Sequence, residues 1–215
     1  MSELLAEAQE RIRDAYEQRD QVLKAMRRVT KVAKRAIFAV HKGELQKARG
    51  MLDEAREELM RLKAFLMERP EIAGLGILGP AFQEYSEAEA FLALVSGSKV
   101  PSPDELGVPP DQFVLGLADV IGELRRRALD ALKEGRLPDA EACLELMEEL
   151  YMELISLDEA QAILSDLRHK CDIARRIIEA TRGDITVEAR RMALEKALSR
   201  LEGLLRRSGG EGAES

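Results

Sequence analysis

The sequence predicts an all-α fold of about six to seven helices, and two observations carry that prediction. Ala, Leu, Glu, Lys and Arg dominate while β-branched residues form few clusters, which is the composition with the best helix propensity. Glycine and proline are few, 15 and 7 in 215 residues, and they divide the chain into long uninterrupted segments.

The first helix is expected over residues 3–42, stopped at Gly43. At about 1.5 Å per residue it would be roughly 60 Å long, longer than a compact domain needs. A second is expected over 44–68, ending before Arg69-Pro70 because the residue preceding proline is pushed out of helical geometry. "GLGILGP" (74–80) reads as a linker and 81–96 as the third helix. "GSKVPSPDELGVPPDQ" is a loop, with one helical turn around 103–106. A long helix over 111–134 stops at Gly135, and Pro138 suits the first turn of the next, 139–157. Residues 158–182 follow, ended by Gly183, and then 186–207. In this reading 1–207 is a single domain without internal repeats, and "SGGEGAES" (208–215) is a disordered tail.

Composition excludes several classes of function. Hydrophobic residues at 46% are enough for a real core, yet no window approaches a membrane-spanning run. The start, "MSELLAEAQERIRD", is acidic and amphipathic, unlike a secretory signal or transit peptide, so the expected location is cytoplasmic. Cys143 and Cys171 are too few and too far apart for a disulfide framework or a zinc motif. With only His41 and His169, a metal would have to be held by oxygen, which favours magnesium, manganese or calcium. His41, beside Phe38 and Val40, is expected to be a packed or capping side chain.

Three groups of charged residues stand out. On the 81–96 helix, Glu84 and Glu87 fall in an otherwise apolar arc with Ala88, Phe91, Leu94 and Val95, while Glu89 points elsewhere. Carboxylates are rarely buried unless paired or bound to a cation, so this arc is either a site or a partly exposed edge with arginine partners. On the 111–134 helix, Asp119 and Glu123 lie one turn apart on the charged side. The plain reading there is a solvated face, with Arg126 and Arg127 pairing Glu123. Gly116 and Gly122 in the same helix suggest close backbone approach, since interior glycine costs about 1 kcal/mol relative to alanine. Finally, residues 27–49 carry Arg27, Arg28, Lys31, Lys34, Arg35, Lys42, Lys47 and Arg49 against Glu44 alone, a local charge of +7 in a chain of net −7. Arg27, Lys31, Lys34 and Arg35 share one side of the helix, as phosphate contact requires; the alternative is a solvated face.

Three stretches together, "KRAIFAVHKGE" (34–44), "QEYSEAEAF" (83–91) and "LGLADVIGELRR" (115–126), resemble the translin family, and within it the catalytic branch, translin-associated factor X (Trax). The similarity runs over about residues 19–184. The resemblance implies long, curved antiparallel helices, a closed homo-oligomeric shell (an octamer in the usual case) and binding of single-stranded RNA or DNA. It also implies a magnesium- or manganese-dependent endoribonuclease site. The E-Y-x-E-A match carries one acid pair onto Glu84 and Glu87, and the G-x-A-D-x-x-G-E-L match carries the other onto Asp119 and Glu123. The K-R-x-I-F match places a phosphate-binding base at Lys34, with Arg27, Lys31 and Arg35 extending the nucleic-acid surface. Glu89 is an acid beyond the pattern, and the basic N-terminal extension of eukaryotic Trax is absent. The competing expectations are a shell that binds single strands without cutting them and a structural helical oligomer whose acids make salt bridges.

Overall fold

Residues 79–95 carry apolar or small side chains on nearly every turn, and such a helix has to be covered all round. The structure, a computed structural model describing residues 2–69 and 78–210, places this segment in the middle of an all-α fold. Eight helices occur among the described residues: α1 (Ser2–His41), α2 (Leu45–Met67), α3 (Gly79–Val95), α4 (Pro103–Leu106), α5 (Pro110–Lys133), α6 (Leu137–Ile155), α7 (Asp158–Ile163) and α8 (Ser165–Gly210). Residues 74–77 of the expected linker and 211–215 of the expected tail lie outside the described residues; Ser208–Gly210 are helical.

Two turns that require glycine organise the bundle. Gly43 (φ 75°) reverses the chain between α1 and α2, with the Glu44 N–H donating to the Ala39 carbonyl at 2.9 Å. The two helices then run antiparallel, tied across by an Arg28–Glu58 ion pair at 2.5 Å. Gly135 (φ 72°) does the same between α5 and α6, with Arg136 N–H on the Ala131 carbonyl at 2.9 Å. α3 packs against α1, α5 and part of α2, and α8 lies along α5 and α6. Tyr85, Ala88, Ala90 and Phe91 of α3 are completely buried with Val40, Leu52, Val120 and Leu124 from its neighbours.

α3 and α5 approach closely for an identifiable reason. A Cβ on Gly116 would lie 2.6 Å from the Gln83 carbonyl oxygen and 3.0 Å from the Glu87 nitrogen, so only glycine permits the crossing. The same expectation fails at Gly122, where a Cβ would meet nothing within 4 Å.

The chain departs from the predicted elements near its end. The helix expected over 158–182 breaks at Leu164 (φ −99°, ψ 93°), leaving α7 as a short separate piece. Gly183 does not stop a helix: α8 passes through it for 46 residues, about 69 Å. The cost of a glycine there is offset by packing on both sides. Thr181 is buried and accepts Arg125 Nη1 at 2.8 Å, and Ile185 is buried against Ala128, Ala131, Ala140 and Cys143. Leu4, Leu5, Ile12 and Tyr16 at the start of α1, and Val187, Leu194, Leu198 and Leu201 along α8, remain exposed. No helix among the described residues is long and apolar enough to cross a membrane.

Candidate functional site

The close α3–α5 crossing turns two acid pairs toward one another. Glu84 and Glu87 come from α3, Asp119 and Glu123 from α5, and all four line one cavity of about 510 Å³ together with Lys34, Phe38 and Arg126. Asp119 and Glu123 are therefore not on a solvated face; their side chains are 29% and 24% exposed. The pairing expected between Glu123 and Arg126 or Arg127 does not form.

Three of the four acids have partners within the protein. Glu84 lies 3.1 Å from Lys34 Nζ. Asp119 is ion-paired with Lys170 of α8 and accepts Gln83 Nε2 at 2.6 Å. Glu123 Oε2 lies 2.5 Å from Nε2 of His41, whose ring is buried and packs on Phe91 with centroids 4.9 Å apart. Glu87 has neither a hydrogen bond nor an ion pair from any described residue, although it is buried. Desolvation first, and then the charges of Asp119, Glu84 and Glu123, push its pKa up to about 8; Lys170 only partly opposes this.

The chemistry of this donor set is that of a hard-cation site. It offers carboxylate oxygens alone, and one buried carboxyl group lacks any counter-charge of its own. Among the described residues no three His, Cys, Asp or Glu side chains stand close enough to grip an ion as they are. Glu84, Asp119 and Glu123 are each engaged by Lys34, Lys170 and His41 instead, so a cation would have to draw these carboxylates away from basic partners.

Glu89, on the far side of α3, has a different environment. It is buried, receives Arg49 Nη1 at 2.8 Å and Tyr85 OH at 2.9 Å, and takes no part in the cavity. That carboxylate is held as a structural ion pair; burial first, and then the Glu89 charge, drive the Tyr85 phenol far above its ordinary pKa.

The basic residues also converge. Arg27, Lys31, Lys34 and Arg35 line a second cavity, a groove of about 540 Å³ on α1 that Phe38 and Lys34 share with the acid cavity. Arg27, Lys31 and Arg35 have no ion-pair or hydrogen-bond partner among the described residues.

Sequence reasoning missed Lys170, Gln83 and His41 as neighbours of the acids. His41 carried a usable signal, since it stands seven residues after Lys34 and so shares its face of α1. Gln83 sits one residue before Glu84. Lys170 carried none, because nothing in its own helix says which carboxylate it will meet.

Comparison with known proteins points one way. Residues 80–180 match the translin family. An uncharacterised protein of Methanocaldococcus jannaschii is 34% identical over 186 residues, 86% of this chain and 82% of that one. The crystal structure of AfC3PO superposes with a TM-score of 0.76 at 35% identity, covering 86% of this chain and 96% of AfC3PO. A complex of AfC3PO with duplex RNA gives 0.74 at 34% over the same shares. The structure of apo-NeC3PO matches at 0.74 with 24% identity and speaks for the fold alone.

Proposed function

The chain belongs to the translin family, and from that premise we propose that it is a divalent-metal-dependent endoribonuclease of the Trax kind, acting on single-stranded RNA. The observation that carries the reading is Glu87: a largely buried side chain whose carboxyl group, without a protein partner, opens onto a cavity shared with three other acids and with Lys34. A purely structural group would be expected to carry its own counter-charge, as Glu89 does. The RNA duplex bound by AfC3PO supports a nucleic-acid ligand for this chain as well.

Glu84, Glu87, Asp119 and Glu123 would hold Mg²⁺ or Mn²⁺. When bound, the cation supplies Lewis acidity, lowering the pKa of water and neutralising the charge that develops on phosphate. The chain's own residues do the rest. Lys34 binds the scissile phosphate as a point charge once Glu84 is engaged elsewhere. His41 and Gln83 orient Glu123 and Asp119, and Lys170 neutralises part of the acid cluster before loading. Arg27, Lys31 and Arg35 hold neighbouring phosphates along α1.

The exposed leucines at the start of α1 and along α8 support a closed homo-oligomer, in the family's usual case an octamer. Light scattering would show a multiple of 24.0 kDa, and a monomer at micromolar concentration would overturn that assembly.

The test incubates the purified protein with labelled single-stranded and duplex RNA in Mg²⁺, Mn²⁺ or EDTA. Cleavage of the single strand that needs a metal and is lost in Glu87→Gln is the expected result. Tight binding without cleavage under any metal would instead make the protein a non-catalytic shell for single-stranded RNA or DNA.

A further inference from the structure

Phe38 is the one phenylalanine among the described residues that stands exposed, at 49%. Its ring borders both the acid cavity and the groove on α1, and Lys34 is the other α1 residue that does so. The floor of the groove is apolar, formed by Leu23, Met26, Phe38 and Pro80. Its rim is the row of cations Arg27, Lys31, Lys34 and Arg35. A surface that binds only phosphates has no need of an apolar floor, and one that binds only an apolar partner has no need of three unpaired cations around it. A nucleotide strand satisfies both, with its bases on the floor and its phosphates along the rim.

We propose that this groove is a nucleobase subsite, in which the base next to the phosphate held at Lys34 stacks on the Phe38 ring. The assignment rests on the reading of the acid cavity as a phosphodiester site, and it adds what that reading leaves open, namely how the strand is placed. At about 540 Å³ the groove has the size of ordinary small-ligand pockets, ample for a flat base. Lys42 Nζ lies over one face of the Phe38 ring, 4.6 Å from its centroid, which leaves the opposite face for a base and puts a positive charge beside the sugar–phosphate backbone. Stacking on an aromatic ring accepts any base, because every base has a π-face, so the subsite places the strand without reading its sequence. It also selects single strands at the cut, since a base inside a duplex is already stacked and paired.

The test walks one abasic nucleotide along a short single-stranded RNA and measures binding in EDTA, where no cleavage intervenes. Parent protein should bind about tenfold more weakly when the abasic nucleotide falls at one particular position. Phe38→Leu should bind intact and abasic strands alike, while Phe38→Tyr should keep the parental penalty. Because Phe38 is exposed, both variants should fold, and light scattering on each checks the assembly. A positional penalty that survives in Phe38→Leu overturns the subsite. So does a Phe38→Leu protein with altered subunit number and an unchanged penalty, which would assign the groove to a second copy of this chain. If the penalty depends on Phe38 but no metal supports cleavage, the nuclease reading fails and the subsite stands. If cleavage occurs and the penalty ignores Phe38, the subsite alone falls.

Discussion

Glu87 and Glu89 stand two residues apart on α3, both buried, one facing α5 and the other facing α2. Glu89 receives a guanidinium at 2.8 Å and a phenol at 2.9 Å, and its charge is answered within the protein. Glu87 receives no hydrogen bond or ion pair from the described residues and looks at three further acids; burial first, and then those charges, push its pKa up to about 8. Both side chains are buried, so burial alone does not tell them apart. The partner does. A buried acid with its arginine is part of the framework, and a buried acid whose counter-charge is missing is what the proposed cation site would use.

The contrast breaks most visibly in activity. Glu87→Gln should lower RNA cleavage by on the order of a hundredfold or more, as expected for loss of one preorganised electrostatic group, while leaving the melting temperature equal or higher. Glu89→Gln should do the reverse. Its cleavage rate below the melting transition stays at the parental level, and stability falls by about 2 kcal/mol, less than the roughly 3–5 kcal/mol of a fully buried broken pair because Arg49 is half exposed and regains water. Paired melting curves and cleavage assays read both; equal behaviour of the two variants would erase the distinction.

A pH series on metal-free protein sharpens it. Glu87 has a folded pKa raised from 4.5 to about 8, so between those values the native state holds a proton that the unfolded chain has released. Its contribution to stability is complete below pH 4.5 and is lost as the pH rises through 8. Stability measured in EDTA should therefore fall by about 1 kcal/mol per pH unit across that window. Glu87→Gln should flatten this slope, and Glu89→Gln should not.

The crossing that brings the acids together can be tested at its two glycines. Gly116→Ala drives a Cβ into the Gln83 carbonyl and should cost about 1–3 kcal/mol in denaturant unfolding, together with a loss of cleavage. Gly122→Ala, six residues along the same helix, meets open space and should gain up to about 1 kcal/mol.

Much of the architecture was legible because it is written in local chemistry. Gly43 and Gly135 end helices where a left-handed φ is needed, and the prolines at 103 and 110 mark helix starts that no neighbour has to enforce. Gly183 misled for the complementary reason. A glycine permits a turn without requiring one, and here Thr181 and Ile185 are held by α5 and α6, so tertiary packing overrides the weak local preference. Leu164, where the chain does break, carries no local mark. Glu84 and Glu87 stood out in the sequence because their arc is otherwise apolar, whereas Asp119 and Glu123 were singled out only by likeness to known motifs. The side chains that answer three of these acids were not legible, because Lys170, His41 and Gln83 acquire their meaning only from the crossing of separate helices. The helical wheel of α5 put Asp119 and Glu123 in water because a wheel knows nothing of α8 lying against that side.

The contacts around the acids join parts of the chain that are remote along its length. His41 meets Glu123 across 82 positions, Lys170 meets Asp119 across 51, and Gln83 meets Asp119 across 36. Each of these closures has a loop entropy to overcome, and none is made by a hairpin alone. During synthesis, α1, α2 and α3 can form and pack while the cavity still lacks one wall. The complete set of partners exists only once residue 170 has emerged and α8 has docked. A fragment that ends before residue 170 lacks one of the partners of the acids, so the centre is a property of the nearly complete chain.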